Sequence, residues 1–184
     1  MPTDRNFARQ AAQVYAKALL DAASNADRVF AVSGDLAQAQ DAVRSSIELR
    51  ETLKDHTLPL EGRQAIVREV FSDLASELVE ALCVMVERDE LTLLGRVRED
   101  YDELAEAALG AVFIDVVTAV ALDDALRAAI VEKYSGQFGR DVLLREHVEP
   151  SILGGIILSA HGQRIDASIA SQLENARATL AQTT

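Results

Sequence analysis

The sequence predicts an α+β fold in two domains, mainly α: an N-terminal six-helix bundle over residues 1–109 and a small β-α-β-β-α domain over residues 110–184. Three observations carry this expectation. Up to residue 109 the apolar residues recur at spacings of three and four, the period of a helix with one buried face. From residue 110 short runs rich in Val and Ile replace that period, and β-branched side chains lose rotamer freedom in a helical turn but suit a pleated surface. Apolar residues make up 49% of the chain but aromatics only 4%, with no Trp, so the helices must pack closely through Ala and Leu.

The first helix is expected over about residues 5–24, with Ala8, Ala11, Ala12, Tyr15, Ala18, Leu19 and Ala22 on one broad face. A second carries Val29, Val32, Leu36, Ala39 and Val43, and a short third surrounds Ile47 and Leu49. Residues 54–58 break the pattern. Pro59 suits the first turn of a fourth helix, where a missing N–H has no partner to lose, and Ile66, Val67, Val70 and Phe71 form its inner face. Ser72 is the expected cap of a fifth helix bearing Leu74, Leu78, Leu82 and Met85, and a sixth presents Leu94, Val97, Tyr101, Leu104 and Ala108. Gly110 is the candidate hinge. Residues 112–120 then read as a strand, Asp123 as the cap of a helix with Leu126, Ala129, Ile130 and Tyr134 on one side, Gly139 as its end, and residues 142–148 as a second strand.

Residues 147–168, HVEPSILGGIILSAHGQRIDAS, read as a strand-turn-strand-helix corner. Pro150 fixes its own φ and closes one extended segment. Ile152, Ile156 and Ile157 supply β-branched residues, and Gly154 and Gly155 within that run signal a bulge or the close approach of another element. His161, Gly162 and Gln163 suit a tight turn, after which Ser168 caps a last helix with Ile169, Leu173, Ala176 and Leu180 inward.

The formal net charge is −12. Residues 1–109 carry 21 acidic and 12 basic groups, residues 110–184 carry 9 and 6. Such a surface repels phosphate backbones and anionic lipid, which argues against nucleic-acid binding and against electrostatic attachment to a membrane. The longest nearly apolar stretch, residues 107–122, is interrupted by Asp115 and falls short of the ~20 residues a spanning helix needs, so direct membrane insertion is not expected. The opening MPTDRNFARQ lacks the basic-then-apolar order of a secretory signal, and the expected location is cytoplasmic. Cys83 is the single cysteine and reads as a small core residue.

Catalytic and cofactor chemistry finds no support. Neither a GxGxxG fingerprint nor a P-loop surrounds Gly154 and Gly155, so the pair is read as structural and no cofactor is expected. His147, Glu149, His161 and Asp166 lie close in sequence, but none of their spacings matches a zinc motif and strand alternation scatters them over two faces, so no metal is expected. Glu99, Asp100, Asp102, Glu103 and Glu106 are best read as a solvated helix face. Without a nucleophile, base and oxyanion donor in a workable arrangement, the chain is not expected to be an enzyme. The residues alone leave a structural subunit and an acidic adaptor for amphipathic helices as alternatives.

EPSILGGIIL at residues 149–158 followed by RIDASI at 164–169 resembles the C-terminal signature of the delta subunit of bacterial F-type ATP synthases, the counterpart of the mitochondrial oligomycin-sensitivity-conferring protein. VVTAVALDD at 116–124, AAQVYAKALLDAA at 11–23 and TLPLEGR at 57–63 resemble other parts of that family in the same order. The resemblance implies a non-catalytic stator subunit at the cytoplasmic face of the membrane, with Pro150, Gly154, Gly155 and Asp166 as structural signature residues. It further implies that the first domain grips the N-terminal helices of alpha subunits through its first and fifth helices, while the second meets the b subunit of the peripheral stalk. Ala12, Tyr15, Ala16 and Leu19, facing Val79, Cys83 and Val86, are the residues this implies for the groove.

Overall fold

The structure is a computed structural model that describes residues 2–25, 27–152, 154–160, 163–169 and 171. The chain is mainly helical with a small four-stranded mixed sheet, and it divides into two compact units, residues 1–107 and 108–184.

The first unit holds α1 (Pro2–Asn25), α2 (Val29–Ser45), α3 (Ile47–Lys54), α4 (Leu60–Val70), α5 (Ser76–Glu87), a 3-10 turn at Leu91–Leu93, and α6 (Leu94–Leu109). Val29, Val32, Leu36, Ala39 and Val43 are all buried, as the spacing along α2 requires. Small residues set the packing: Ala12, Ala16 and Ala23 of α1 are fully buried, which lets neighbouring backbones approach closely. Tyr101 is the largest fully buried side chain, and its hydroxyl donates to the Val29 carbonyl at 2.9 Å, so the phenol loses no hydrogen bond on leaving water. That burial raises its pKa well above the ordinary value.

Helix ends are closed by groups distant in sequence. Ser72 does not cap α5; the helix starts four residues later, and the Ala75 N–H donates to the Asp35 carboxylate of α2 at 2.8 Å. A carboxylate at a helix N-terminus satisfies an orphan donor and meets the positive end of the dipole. Arg63 is buried on α4 and its Nη1 donates to the carbonyls of Leu53 at 3.2 Å and Val86 at 3.4 Å, placing a cation at the C-terminal ends of α3 and α5. Asp89 completes the charge balance at 3.5 Å from Arg63. Pro59 stands at the N-cap of α4 and not within its first turn. Val70 of α4 and Leu104 of α6, both expected inside, are exposed, because their helices bury the Arg63–Val67 and Val97–Tyr101–Ala105 lines instead.

The second unit contains β1 (Ala111–Thr118), α7 (Asp124–Phe138), β2 (Asp141–Val148), β3 (Gly155–Ala160) and β4 (Gln163–Ser168). The sheet order is β2-β1-β3-β4; β1 and β2 are parallel, the other pairs antiparallel. Asp123 caps α7, accepting from the Leu126 N–H at 2.6 Å, and Gly139 ends it at φ 64. Val112, Ile114 and Val116 of β1, Val142 of β2, and Ile130 and Tyr134 of α7 form the core. Leu126 and Ala129, expected on the inner side of α7, face solvent.

The expected β-α-β-β-α order is corrected by β4. Gln163–Ser168 pairs with all of β3, so a fourth strand precedes the expected last helix, of which Ile169 and Ser171 are among the described residues. Its sequence lacks apolar alternation because it is an exposed edge strand, fixed by its partner's backbone more than by its own side chains. Ile152 lies in a turn, its N–H bonded to the Glu149 carbonyl at 3.2 Å, and not in a strand. The expected inner positions Leu173, Ala176 and Leu180, and His161 and Gly162 of the expected turn, lie outside the described residues.

Candidate partner interface

The seven groove residues implied by the sequence lie on α1 and α5, two helices that are in contact. Ala12, Ala16, Leu19, Val79, Cys83 and Val86 are all buried in the unit as it stands alone, and Cys83 Sγ lies 3.8 Å from the Gln64 carbonyl of α4. Burial pushes the Cys83 thiol up, as suits an unreactive core residue. Tyr15 differs. It is half-buried, and its hydroxyl donates to Glu90 Oε2 at 2.7 Å, just beyond the end of α5.

What remains open lies one step around α1. Phe7, Ala11, Val14 and Ala18 follow one another at spacings of four, three and four, a single line along the helix. Phe7 is 66% and Val14 69% exposed. Tyr15 meets Glu90 past the C-terminal end of α5, while Arg28, just after α1, lies 3.9 Å from Glu77 at its N-terminal end. The second half of α1 therefore runs antiparallel to α5. On α5, Glu77, Ala81 and Val84 share a line at spacings of four and three; Ala81 is half-buried and Val84 is 37% exposed. Because Tyr15 is already level with Glu90, Val14, Ala11 and Phe7 lie beyond the C-terminal end of α5, and Ala18 is the member of that line nearest to it.

Tyr15 follows Val14 on α1. Its phenol pKa is pushed up to about 12, first by burial and then by the hydrogen bond to Glu90. Tyr15→Phe is expected to lower unfolding stability by about 1–2 kcal/mol in urea denaturation at neutral pH. Because the folded-state pKa is raised above the ordinary 10.0, that contribution is complete below pH 10 and is lost as pH rises through about 12. The difference between the two proteins should therefore shrink over that interval.

In the second unit the signature residues act on the backbone. The Glu149 N–H bonds the Thr118 carbonyl at 2.8 Å, extending the link between β1 and β2 by one residue, and Pro150 follows in the turn closed by Glu149 and Ile152. Gly154 and Gly155 have φ 139 and 91, conformations that L side chains rarely adopt. A Cβ on Gly155 would sit 2.5 Å from the Ala167 carbonyl oxygen and 2.7 Å from the Ser168 Cα. Glycine is the condition for β3 and β4 to meet at that end. Asp166 Oδ1 accepts from the Ser168 N–H at 3.0 Å and its other oxygen lies 3.3 Å from Arg164; these bonds hold its pKa down to about 2. Ser168 Oγ in turn accepts from the Ser171 N–H at 3.3 Å, the bond of an N-cap. Each is a structural role; none is aimed at a substrate.

Among the described residues no group of three or more His, Cys, Asp or Glu side chains is placed to hold a metal ion, and no helix is long and apolar enough to cross a membrane. His147, Glu149 and Asp166 contribute to no such group, and His161 lies outside the described residues.

Residues 11–180 match the family model described as ATP synthase delta (OSCP) subunit. The chain is 34% identical over 173 residues to ATP synthase subunit delta of Anaeromyxobacter sp. (strain Fw109-5), covering 93% of this chain and 97% of that protein. It is 34% identical over 171 residues to ATP synthase subunit delta of Rubrobacter xylanophilus, covering 91% and 94%. Among solved structures, its fold is similar to a chain of the Toxoplasma gondii mitochondrial ATP synthase hexamer, with a TM-score of 0.52 at 19% identity over 92% of this chain and 97% of that one.

Proposed function

Because the chain belongs to the ATP synthase delta (OSCP) subunit family, we propose that its first unit, acting as a six-helix bundle, grips the N-terminal helix of an alpha subunit in the catalytic head. Its second unit binds the b subunit of the peripheral stalk. The chain is a non-catalytic stator component of F-type ATP synthase, which ties the head to the peripheral stalk so that ion-driven rotation is coupled to ATP synthesis. It is part of a membrane-associated assembly, and its place there is peripheral, at the cytoplasmic face.

The open apolar line Phe7, Ala11, Val14 and Ala18 on α1, with the exposed Val84 on α5, supports the first half of this reading. An amphipathic helix laid along it removes two large exposed side chains from water, each worth roughly 1.5–3 kcal/mol when fully buried. The small residues between them let the docked backbone come close, and the buried Ala12, Ala16 and Leu19 on the inner side of the same helix give a stiff floor. Stiffness is the mechanical requirement, since a stator must transmit torque without yielding. Titration of the protein with a synthetic peptide of the alpha-subunit N-terminal helix from the same organism should give saturable binding. Absence of binding would remove the assignment of this face.

A further inference from the structure

At the end of the sheet where β1 and β2 finish and α7 begins, three apolar side chains lie open: Val120 is 73%, Leu126 45% and Val148 45% exposed. The topology gathers them. Thr118 stands opposite Val148 in the strand register, Val120 follows two residues later, and Leu126 lies in the first turn of α7. Arg127, also in that turn, reaches back to Glu146 near the end of β2, on the face of the sheet that α7 covers. Carboxylates border the three: Asp123 and Asp124 at the start of α7, Glu146 on β2 and Glu149 just after it. Arg127 is the permanent cation that the described residues place among them, already paired with Glu146 and Asp124, and His147 of β2 stands close to Glu149. The border therefore keeps a net negative charge.

An apolar patch with a one-signed charged border has the composition of a docking surface. Its sign narrows the occupant. A second copy of this chain would bring the same carboxylates against themselves, and an anionic membrane surface would be repelled. We propose that the b subunit of the stalk docks here through a segment that lays apolar side chains on Val120, Leu126 and Val148 and places Lys or Arg beside the carboxylates. This rests on the assignment of the second unit to the stalk.

Val120→Glu and Asp124→Lys test it, because Val120 is mostly exposed and the Asp124 side chain fully so, and neither change disturbs a core. The full-length protein is titrated with the soluble extramembrane segment of the same organism's b subunit at about 50 and about 500 mM salt, a range over which exposed charges go from weakly to strongly screened. Wild-type affinity should fall about tenfold with salt. Val120→Glu should weaken binding about tenfold or more at both concentrations, and Asp124→Lys chiefly at the lower one. Binding to the alpha-subunit peptide should be unchanged in both variants. Equal affinity of wild type and both variants for the b segment would overturn this docking site while leaving the second unit's assignment intact. No binding of that segment by the wild-type chain would overturn the assignment itself, and the proposal with it.

Discussion

Ala16→Asp is expected to unfold the first unit, whereas Val14→Asp is expected to leave it folded and remove its grip on the alpha subunit. Both positions lie on α1, but Ala16 is fully buried in the core while Val14 is 69% exposed. A carboxylate forced into the core is without water or a partner cation, and even after relaxation such burial costs several kcal/mol, most of the stability of a small domain. At position 14 the charge stays solvated until a helix docks, and the desolvation cost then falls on binding alone. A loss of about 3 kcal/mol there corresponds to a roughly hundredfold weaker complex. Circular dichroism and the alpha-peptide titration together separate the cases. If Ala16→Asp remains folded, or Val14→Asp binds normally, the division between buried core and open line is misdrawn.

Gly155→Ala is expected to cost about 3 kcal/mol or more, and Gly154→Ala about 1–2 kcal/mol. The added methyl at residue 155 meets the backbone of Ala167 and Ser168, which can retreat only if β4 separates from β3. At residue 154 the nearest atom is the end of the Ile169 side chain, 2.8 Å away, which can rotate aside, leaving mainly the strain of φ 139. Hydrogen exchange should show loss of protection across β3 and β4 in the first variant and only a local change in the second. Equal effects would mean that backbone conformation, and not the closeness of the strands, accounts for the glycine pair.

The helical half was legible wherever burial follows local spacing. Val29, Val32, Leu36, Ala39 and Val43 needed no knowledge of the fold to be placed inside, and Asp123 and Gly139 mark the ends of α7 because their capping acts within one turn. What escaped depends on partners far along the chain. Asp35 bonds an amide 40 residues away at the start of α5, and nothing near Ser72 reveals that. Arg63 resembles any surface cation until α3 and α5 turn their carbonyls toward it. β4 was hidden because an edge strand with Arg164 and Asp166 among its residues carries no period of its own. The Ala-rich side of α1 is apolar over a wide arc, and spacing alone does not say which part of it is buried: Ala12, Ala16 and Leu19 are, whereas Phe7 and Val14 on the neighbouring line are exposed.

The central claim is that two separate units perform two separate attachments, and a fragment of residues 1–109 tests it most directly. This piece contains all of α1 to α6 with their shared core, and its length is sufficient for a small domain to fold alone. Added to membranes stripped of the native subunit, the folded fragment should bind the catalytic head and leave ATP hydrolysis intact without restoring ion pumping, whereas the full-length chain should restore pumping. Recovery of pumping by the fragment alone would contradict the account, because residues 110–184 would then be dispensable for the link to the stalk.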